Sequence, residues 1–442
     1  MPDGQPPSSQ PILALLIAVA LFALGRIIIR RITKAEGGDP WVAKALLACL
    51  ILHLLAAPMQ IWVVDHLYGG IADYTRYDSQ GAVLASGFRH FDFSLAPAQL
   101  RGIVGDGAVS IVAGAVFTLI GSNQAGAFLV FSFLSFIGFA YFYRAFTLTF
   151  SGVGHRRYGY LIFFLPTLVF WTSDVSKEAI MIFLLGLTAF GCAQILAHRG
   201  RGSYLLIIAC SVGGAFIRPN ETLLALGGFT IAMLVRPAKP GAGLQGLRRT
   251  VAFVFLGAMT GLAIFVTLHF LPGSSSLTSL SKGNSGVGNG LGSGGVAYSA
   301  NPLYWPKDVF VVLFDPLPFN AHGSGEWLEA AENTLVVAVV LTSLRSLRIL
   351  PRAALARPYV LMCIFFTGAF CYSFASLGNL GLITREATVT MPFFLVLLCI
   401  PRGPRHQPPR YVWELRRRAR KARARSAATR PRVARTRRPV PI

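Results

Sequence analysis

Apolar residues in this chain come in long, nearly unbroken runs. They occupy residues 11–29, 41–64, 108–121, 125–143, 158–171, 179–197, 204–217, 222–235, 251–271, 333–344, 358–377 and 387–400. A helix of about 20 apolar residues matches the ~30 Å hydrocarbon core of a bilayer. These runs are too apolar to carry a polar, water-facing side. They do not alternate in short segments, which excludes an outer-membrane barrel, and no fixed-period repeat is visible. The pattern predicts an all-α protein, a polytopic integral-membrane helical bundle.

The polar residues between the runs orient them, because Lys and Arg concentrate at the cytoplasmic ends of spans. No basic residue precedes the first run, whereas Arg26, Arg30, Arg31 and Lys34 close it. A secretory signal has the reverse polarity, so this run reads as an uncleaved helix with its N-terminus outside. Arg144, Arg156 and Arg157, then Arg199 and Arg201, then Arg236 to Arg249, then Arg345 to Arg357, and the basic C-terminal tail all fall inside. That requires residues 108–143 to cross an odd number of times, so one of the two runs there is expected to be re-entrant or interfacial. The scheme has about eleven crossings of the cytoplasmic membrane, N-terminus outside and C-terminus inside. Residues 65–107 and 272–332 become outer loops. The first is net acidic; the second opens on a Gly/Ser-rich stretch too poor in apolar side chains to order itself. Pro316 and Pro318 argue against a span at 309–319 and for a segment at the outer surface.

Several runs are short. Residues 158–171, 204–217 and 387–400 would each rise about 21 Å as helices, against a core near 30 Å. The charges at their outer ends are Asp174/Lys177/Glu178, Arg218/Glu221 and Arg385/Glu386. Such charges lie at membrane depth unless they line a wet cavity. We therefore expect short or broken helices whose caps surround an outward-opening cavity.

Composition sharpens the class. The chain is 54% hydrophobic and 13% charged, against about 25% charged in soluble domains, and its mean hydropathy is +0.57. An ordinary soluble enzyme and a disordered chain are both excluded. The net charge of +23 is concentrated: residues 401–442 hold 15 of the 41 Lys and Arg residues and a single acid, Glu414. No nucleic-acid-binding fold accompanies this run. It reads as a disordered cytoplasmic tail on anionic lipid headgroups, at about 1 kcal/mol per charge, following a transmembrane domain at 1–400. Cys49, Cys192, Cys210, Cys363, Cys371 and Cys399 all lie in apolar runs without a C-x-x-C pair. Neither a zinc site nor a disulfide framework is indicated.

Four polar clusters carry candidate chemistry. Asp73 and Asp78 flank Tyr-Thr-Arg-Tyr just after the second run. A carboxylate there can take a proton from a sugar hydroxyl or hold a divalent cation that bridges phosphates; the alternative is a solvated loop paired with Arg76. Asp174 is a good N-cap for the following helix, Glu178 suits its positive end, and Lys177 could hold a phosphate there. Asp174, Lys177 and Glu178 are expected to share a face, equally as a structural cap or a substrate site. Arg218 stands where Pro219 begins a new helix; it either pairs with Glu221 or contacts a diphosphate, which guanidinium suits. Arg385 beside Glu386 poses the same alternatives.

The stretches Ala72-Asp-Tyr-Thr-Arg-Tyr-Asp, Leu165-Pro-Thr-Leu-Val-Phe-Trp-Thr-Ser-Asp-Val-Ser-Lys-Glu and Ile217-Arg-Pro together resemble bacterial polytopic proteins of envelope-glycan assembly. These are lipid-carrier-dependent glycosyltransferases of the GT-C type and polysaccharide polymerases of the O-antigen polymerase kind. Phe314-Asp-Pro-Leu-Pro-Phe is similar to an Arg-Pro-Phe-Pro-Trp segment in some of them, with Asp315 in place of the Arg. The resemblance implies a membrane glycosyltransferase or polymerase that takes a sugar from a polyprenyl-phosphate carrier at the outer face. Asp73 and Asp78 would then be the catalytic carboxylates, as general base or metal ligand. Lys177, Glu178, Arg218, Glu221 and Arg385 would bind substrate, the cations neutralising the phosphate leaving group. The partners would be membrane lipid and the lipid-linked sugar; no cofactor is assigned, a divalent cation being the one candidate. The same features fit a transporter or flippase for a lipid-linked or anionic glycan, or a non-catalytic membrane scaffold.

Overall fold

The computed structural model describes residues 10–67, 72–94, 102–151, 153–198, 202–236, 305–321, 324–374 and 380–401, with a few isolated positions between them. Most of the run at 251–271, the Gly/Ser-rich stretch and the basic tail lie outside the described residues. Regular structure among the described residues is helical. In chain order the helices are α1 (Pro11–Ala35), α2 (Pro40–Leu67), α3 (Asp73–Arg89), α4 (Asp106–Ile120), α5 (Gln124–Phe150), α6 (His155–Phe164), α7 (Pro166–Phe170) and α8 (Lys177–Leu196). They continue with α9 (Ser203–Ile217), α10 (Pro219–Val235), α11 (Trp305–Phe314), α12 (Ser324–Leu347), α13 (Leu350–Ala356), α14 (Pro358–Phe374) and α15 (Leu380–Leu398).

Four of these, α1, α2, α5 and α8, are long and apolar enough to cross a membrane, while α4, α9, α10 and α14 are apolar but shorter. Of the two runs within 108–143, α4 has 15 residues and α5 has 27. Their lengths are about 22 Å and about 40 Å, so α5 is long enough to span and α4 is not. The acidic segment at 65–107, expected as a loop, contains α3. Its buried positions Tyr74, Tyr77, Asp78, Gly81, Leu84 and Ala85 follow helical spacing. Because that stripe includes an aspartate and two tyrosines, hydropathy alone conceals it.

Breaks fall where the backbone cannot continue. Pro166 opens α7 and Pro219 opens α10, since proline lacks the N–H that a helix interior needs but fits the first turn. Asn123 caps α5, its side chain accepting from Gly126 N at 2.8 Å. The cap of α8 is Ser176, which accepts from Ala179 N at 3.2 Å, and not Asp174 as expected. Asp174 lies in the preceding turn, so it does not share a helix face with Lys177 and Glu178.

Helices α5 and α8 form the centre. The most apolar windows of α5 and α8 are 72% and 78% buried, against 11% in α1, whose Ile12, Leu15, Leu16 and Val19 face outward. An apolar face of that kind suits lipid rather than water. Gly138 and Gly186 let α5 and α8 touch. A Cβ on Gly138 would stand 2.3 Å from the carbonyl oxygen of Ile182, and one on Gly186 2.3 Å from that of Gly138. Aromatic packing locks later helices onto this pair: Tyr158 stacks on Phe146 at 4.4 Å, and Phe393 meets Phe142 edge-on at 5.1 Å.

Basic connections gather at the Phe150 end of α5. Arg144 lies 3.7 Å from Glu36, His155 and Arg156 lie 3.7 and 3.8 Å from Asp39, and Arg157 donates to Ser343 at 2.7 Å. The Arg357 guanidinium sits 4.7 Å over the Phe150 ring. The other polar clusters meet elsewhere.

A charged layer as candidate functional site

The depth of the second polar region follows from helix register. Ser135, about three turns into α5, donates to the Thr172 carbonyl at 2.8 Å and lies 3.4 Å from the Ala179 oxygen, near the start of α8. The N-terminus of α8 is therefore about 13 Å in from the Gln124 end of α5. Helices α3 and α4 start nearby and run parallel. Tyr77 reaches Asp106, Gln80 accepts from Ser110 at 2.7 Å, and Arg89 donates to the Phe117 carbonyl at 2.7 Å. Gly105 N donates to the Phe216 carbonyl at 2.8 Å, which ties the start of α4 to the α9–α10 junction.

Four helix N-termini thus converge, and each carries an acid in its first turn: Asp73 in α3, Asp106 in α4, Glu178 in α8 and Glu221 in α10. The positive end of each helix favours its own carboxylate. Two arginines bridge them. Glu178 is fully buried; its Oε1 accepts from Arg218 Nη2 at 2.5 Å and its Oε2 from Arg385 Nη2 at 2.8 Å. Arg218 Nη1 donates to Glu221 Oε1 at 2.6 Å and also meets Glu386. Arg385 Nη1 donates to Asp73 Oδ2 at 2.6 Å. Alongside, Lys177 Nζ lies 2.6 Å from Asp106 Oδ1, Tyr77 donates to the same oxygen at 2.8 Å, and Arg76 pairs with the other. Removing such charges from water costs several kcal/mol each, and several carboxylates around each guanidinium offset it.

Of the residues singled out in sequence, Asp73, Lys177, Glu178, Arg218, Glu221 and Arg385 join this layer. Asp78 does not. It points from another face of α3 and is 2% exposed, with Gln124 of α5 facing it. Burial pushes its carboxyl up to about 8. Asp174, in the turn before α8, is pushed up to about 7 by burial, against the opposing pull of Arg385. Sequence reasoning did not single out Asp106; it named Arg76 only as a partner for the loop aspartates and Glu386 only as a partner for Arg385, whereas the structure pairs Arg76 with Asp106 and Glu386 with Arg218. An acid opening an apolar run after Gly105 is the signal for the first; Glu386 had only its place beside Arg385.

The layer is accessible at the Asp73–Arg385 pair, whose side chains are 59% and 17% exposed, and at the Arg76–Asp106–Lys177 group, whose side chains are 48%, 41% and 26% exposed, against 12% and 0% for Arg218 and Glu178. An anionic group can take the place of Asp73 on Arg385 at the first of these. Glu178, between the two arginines, is a positioning residue. Among the described residues no group of three or more His, Cys, Asp or Glu is arranged around a metal ion; the carboxylates of the layer face Arg and Lys instead. Comparisons with protein-family profiles, with curated proteins and with solved structures give no match to this chain.

Proposed function

We propose that this protein is a membrane glycosyltransferase or polysaccharide polymerase of envelope-glycan biosynthesis, taking its sugar from a polyprenyl-phosphate carrier at the outer face of the cytoplasmic membrane. In this reading the chain crosses about eleven times, N-terminus outside and C-terminus inside, and the charged layer opens outward. The observation that supports it is the Asp73–Arg385 pair, a carboxylate and a guanidinium 2.6 Å apart at an exposed part of the layer, groups that suit a base and a phosphate-binding cation. A carrier phosphate takes the place of Asp73 on Arg385. The released Asp73 accepts the proton of the acceptor hydroxyl as its oxygen bonds to the anomeric carbon and the bond to the carrier phosphate breaks. Arg385 and Lys177 carry the charge left on that phosphate. Purified protein given radiolabelled polyprenyl-linked sugar and acceptor tests this. Asp73→Asn is expected to slow turnover by about 10²-fold or more, with a comparable loss in Arg385→Ala; unchanged turnover in both overturns the assignment.

A second reading is a carrier or flippase for a lipid-linked glycan. It is favoured by the break between α9 and α10 at Arg218–Pro219, where two short helices meet at the charged layer, as in transporters with discontinuous helices. Labelled lipid-linked sugar that crosses vesicle membranes without any lengthened glycan would decide for it.

A further inference from the structure

Helix α1 carries positive charge that the ion pairs of the protein leave out. Its inner side holds the buried Gly25, Ile29 and Ile32, and Gly25 lies against Leu50 of α2 and Phe133 of α5. The opposite side is exposed along its length, with Ile12, Leu15, Leu16 and Val19 toward one end and Arg26, Arg30 and Lys34 toward the other. Spacings of three, four and seven residues put all seven on one face of the helix. Among the described residues no acid pairs with Arg26, Arg30 or Lys34. The two acids at this end are engaged elsewhere, Glu36 with Arg144 and Asp39 with His155 and Arg156.

Helix α2 gives the depth of these charges. Its exposed side runs from Lys44 through Ile51, Leu52, Leu55 and Met59 to Trp62. Lys44 and Trp62 stand about 27 Å apart along the helix, close to the ~30 Å hydrocarbon core. A cation and an indole thus mark the two interfaces at which such groups collect. Only Glu36 to Asp39 separate α1 from α2, so the ends of the two helices are level. Counted from those ends, Arg30 and Lys44 lie at the same depth to within about 2 Å. Arg26 is then about 6 Å deeper, inside the hydrocarbon, and Lys34 about 6 Å further out. A cation at the depth of Arg26 is costly without a counter-charge, and the chain provides none among the described residues.

We propose that this face of α1 binds an anionic phospholipid, with its phosphate held by Arg26 and Arg30 and its acyl chains laid along Val19, Leu16, Leu15 and Ile12. Guanidinium suits phosphate oxygens, and a phosphodiester is the anion that a bilayer offers at this level. The apolar remainder of the same face takes the chains, so one molecule covers both parts. Lys34 selects among headgroups: the cationic end of a zwitterionic lipid would meet it, whereas an anionic headgroup would not be repelled. A second copy of this chain does not suit the face. Helix α1 contains no acid and α2 none before Asp65, so two copies docked through it would set cation against cation. The proposal is independent of the glycan reading and of which side of the membrane this end faces.

Native mass spectrometry of the full-length protein, released from micelles holding equal amounts of phosphatidylglycerol and phosphatidylcholine, tests this. The wild-type protein should retain phosphatidylglycerol in preference. Arg26→Gln combined with Arg30→Gln should lower the apparent affinity for phosphatidylglycerol about 10-fold or more and leave that for phosphatidylcholine unchanged. The replaced side chains pair with no acid, so the melting temperature without added lipid should stay at the wild-type value. Arg348→Gln combined with Arg352→Gln removes the same charge from exposed positions elsewhere and should alter neither affinity. Phosphatidylglycerol with a photoreactive acyl chain should cross-link to α1. Equal retention of the two lipids by the wild-type protein, or cross-linking confined to other helices, overturns the site. Equal losses in the two double variants also overturn it, because they would show diffuse attraction to the net charge. Disulfide-linked dimers through a cysteine placed at Val19, in a background lacking the native cysteines, would put a second copy on this face and overturn the lipid.

Discussion

Glu178 and Asp73 make the same kind of contact with Arg385 but differ in environment. Glu178 is fully buried between two guanidinium groups, while more than half of the Asp73 side chain is exposed. Removing one partner of a buried pair leaves uncompensated charge and costs about 3–5 kcal/mol, whereas an exposed pair is worth about 1 kcal/mol or less. Glu178→Gln should therefore lower the melting temperature in detergent far more than Asp73→Asn does, although only the second is assigned a chemical role. Equal melting shifts would contradict the register that places Glu178 at the hub. The pH response of the buried acids has a definite sign. The Asp78 carboxyl is raised from 3.8 to about 8 and that of Asp174 to about 7. Between about pH 4 and those values the folded chain holds protons that the unfolded chain has released, so stability falls as pH rises. The slope approaches about 1.4 kcal/mol per pH unit per group. Melting scans from pH 5 to 9 should show a decline that Asp78→Asn flattens; a wild-type stability that climbs over this range would contradict it.

At the scale of elements, the charged layer depends on how helices slide past one another. Gly138 and Gly186 hold α5 and α8 in the register that sets Lys177 and Glu178 level with Arg218 and Arg385. Gly138→Ala places a methyl group 2.3 Å from the Ile182 carbonyl oxygen, a backbone atom that cannot swing aside. Separation of the two helices should cost about 1–3 kcal/mol and lower any activity of the layer as well. Gly202→Ala, with nothing within 4 Å of the new atom, is the control and should leave both unchanged. A Gly138→Ala protein with wild-type melting would show that the contact is looser than the helix register requires.

For the whole molecule, the arrangement separates two polar regions along α5. The basic connections lie at the Phe150 end, and the acids and arginines of the layer lie toward the Gln124 end. Both Ser79 and Gly154 are exposed, in α3 and in the turn before α6. The six native cysteines are buried and unpaired. In a cysteine-free background, a cysteine at Ser79 should react with an impermeant thiol reagent in intact cells, and one at Gly154 only after permeabilisation. Labelling of both from outside would refute the proposed orientation, and with it an outward-facing layer.

Much of this was legible in the chain because it is local chemistry. Long apolar runs must be helices where no water can satisfy the backbone, and Pro166 and Pro219 must end one helix or begin another. Charges at the tips of runs too short to span are conspicuous for the same reason, which is how Lys177, Glu178, Arg218, Glu221 and Arg385 stood out; Asp73 stood out as an acid just after the second run. What the chain did not disclose is relative position. Asp73 and Arg385 are separated by most of the sequence, and they meet only because four helix N-termini come to one level. That level is set by packing such as the Gly138–Gly186 contact, to which hydropathy is blind. The same packing turned Asp78 away from the layer into a dry site, brought Asp106 and Glu386 in, and gave the cap of α8 to Ser176. Each of these outcomes depends on which face of a helix a distant neighbour covers, and that is decided only when the helices are assembled.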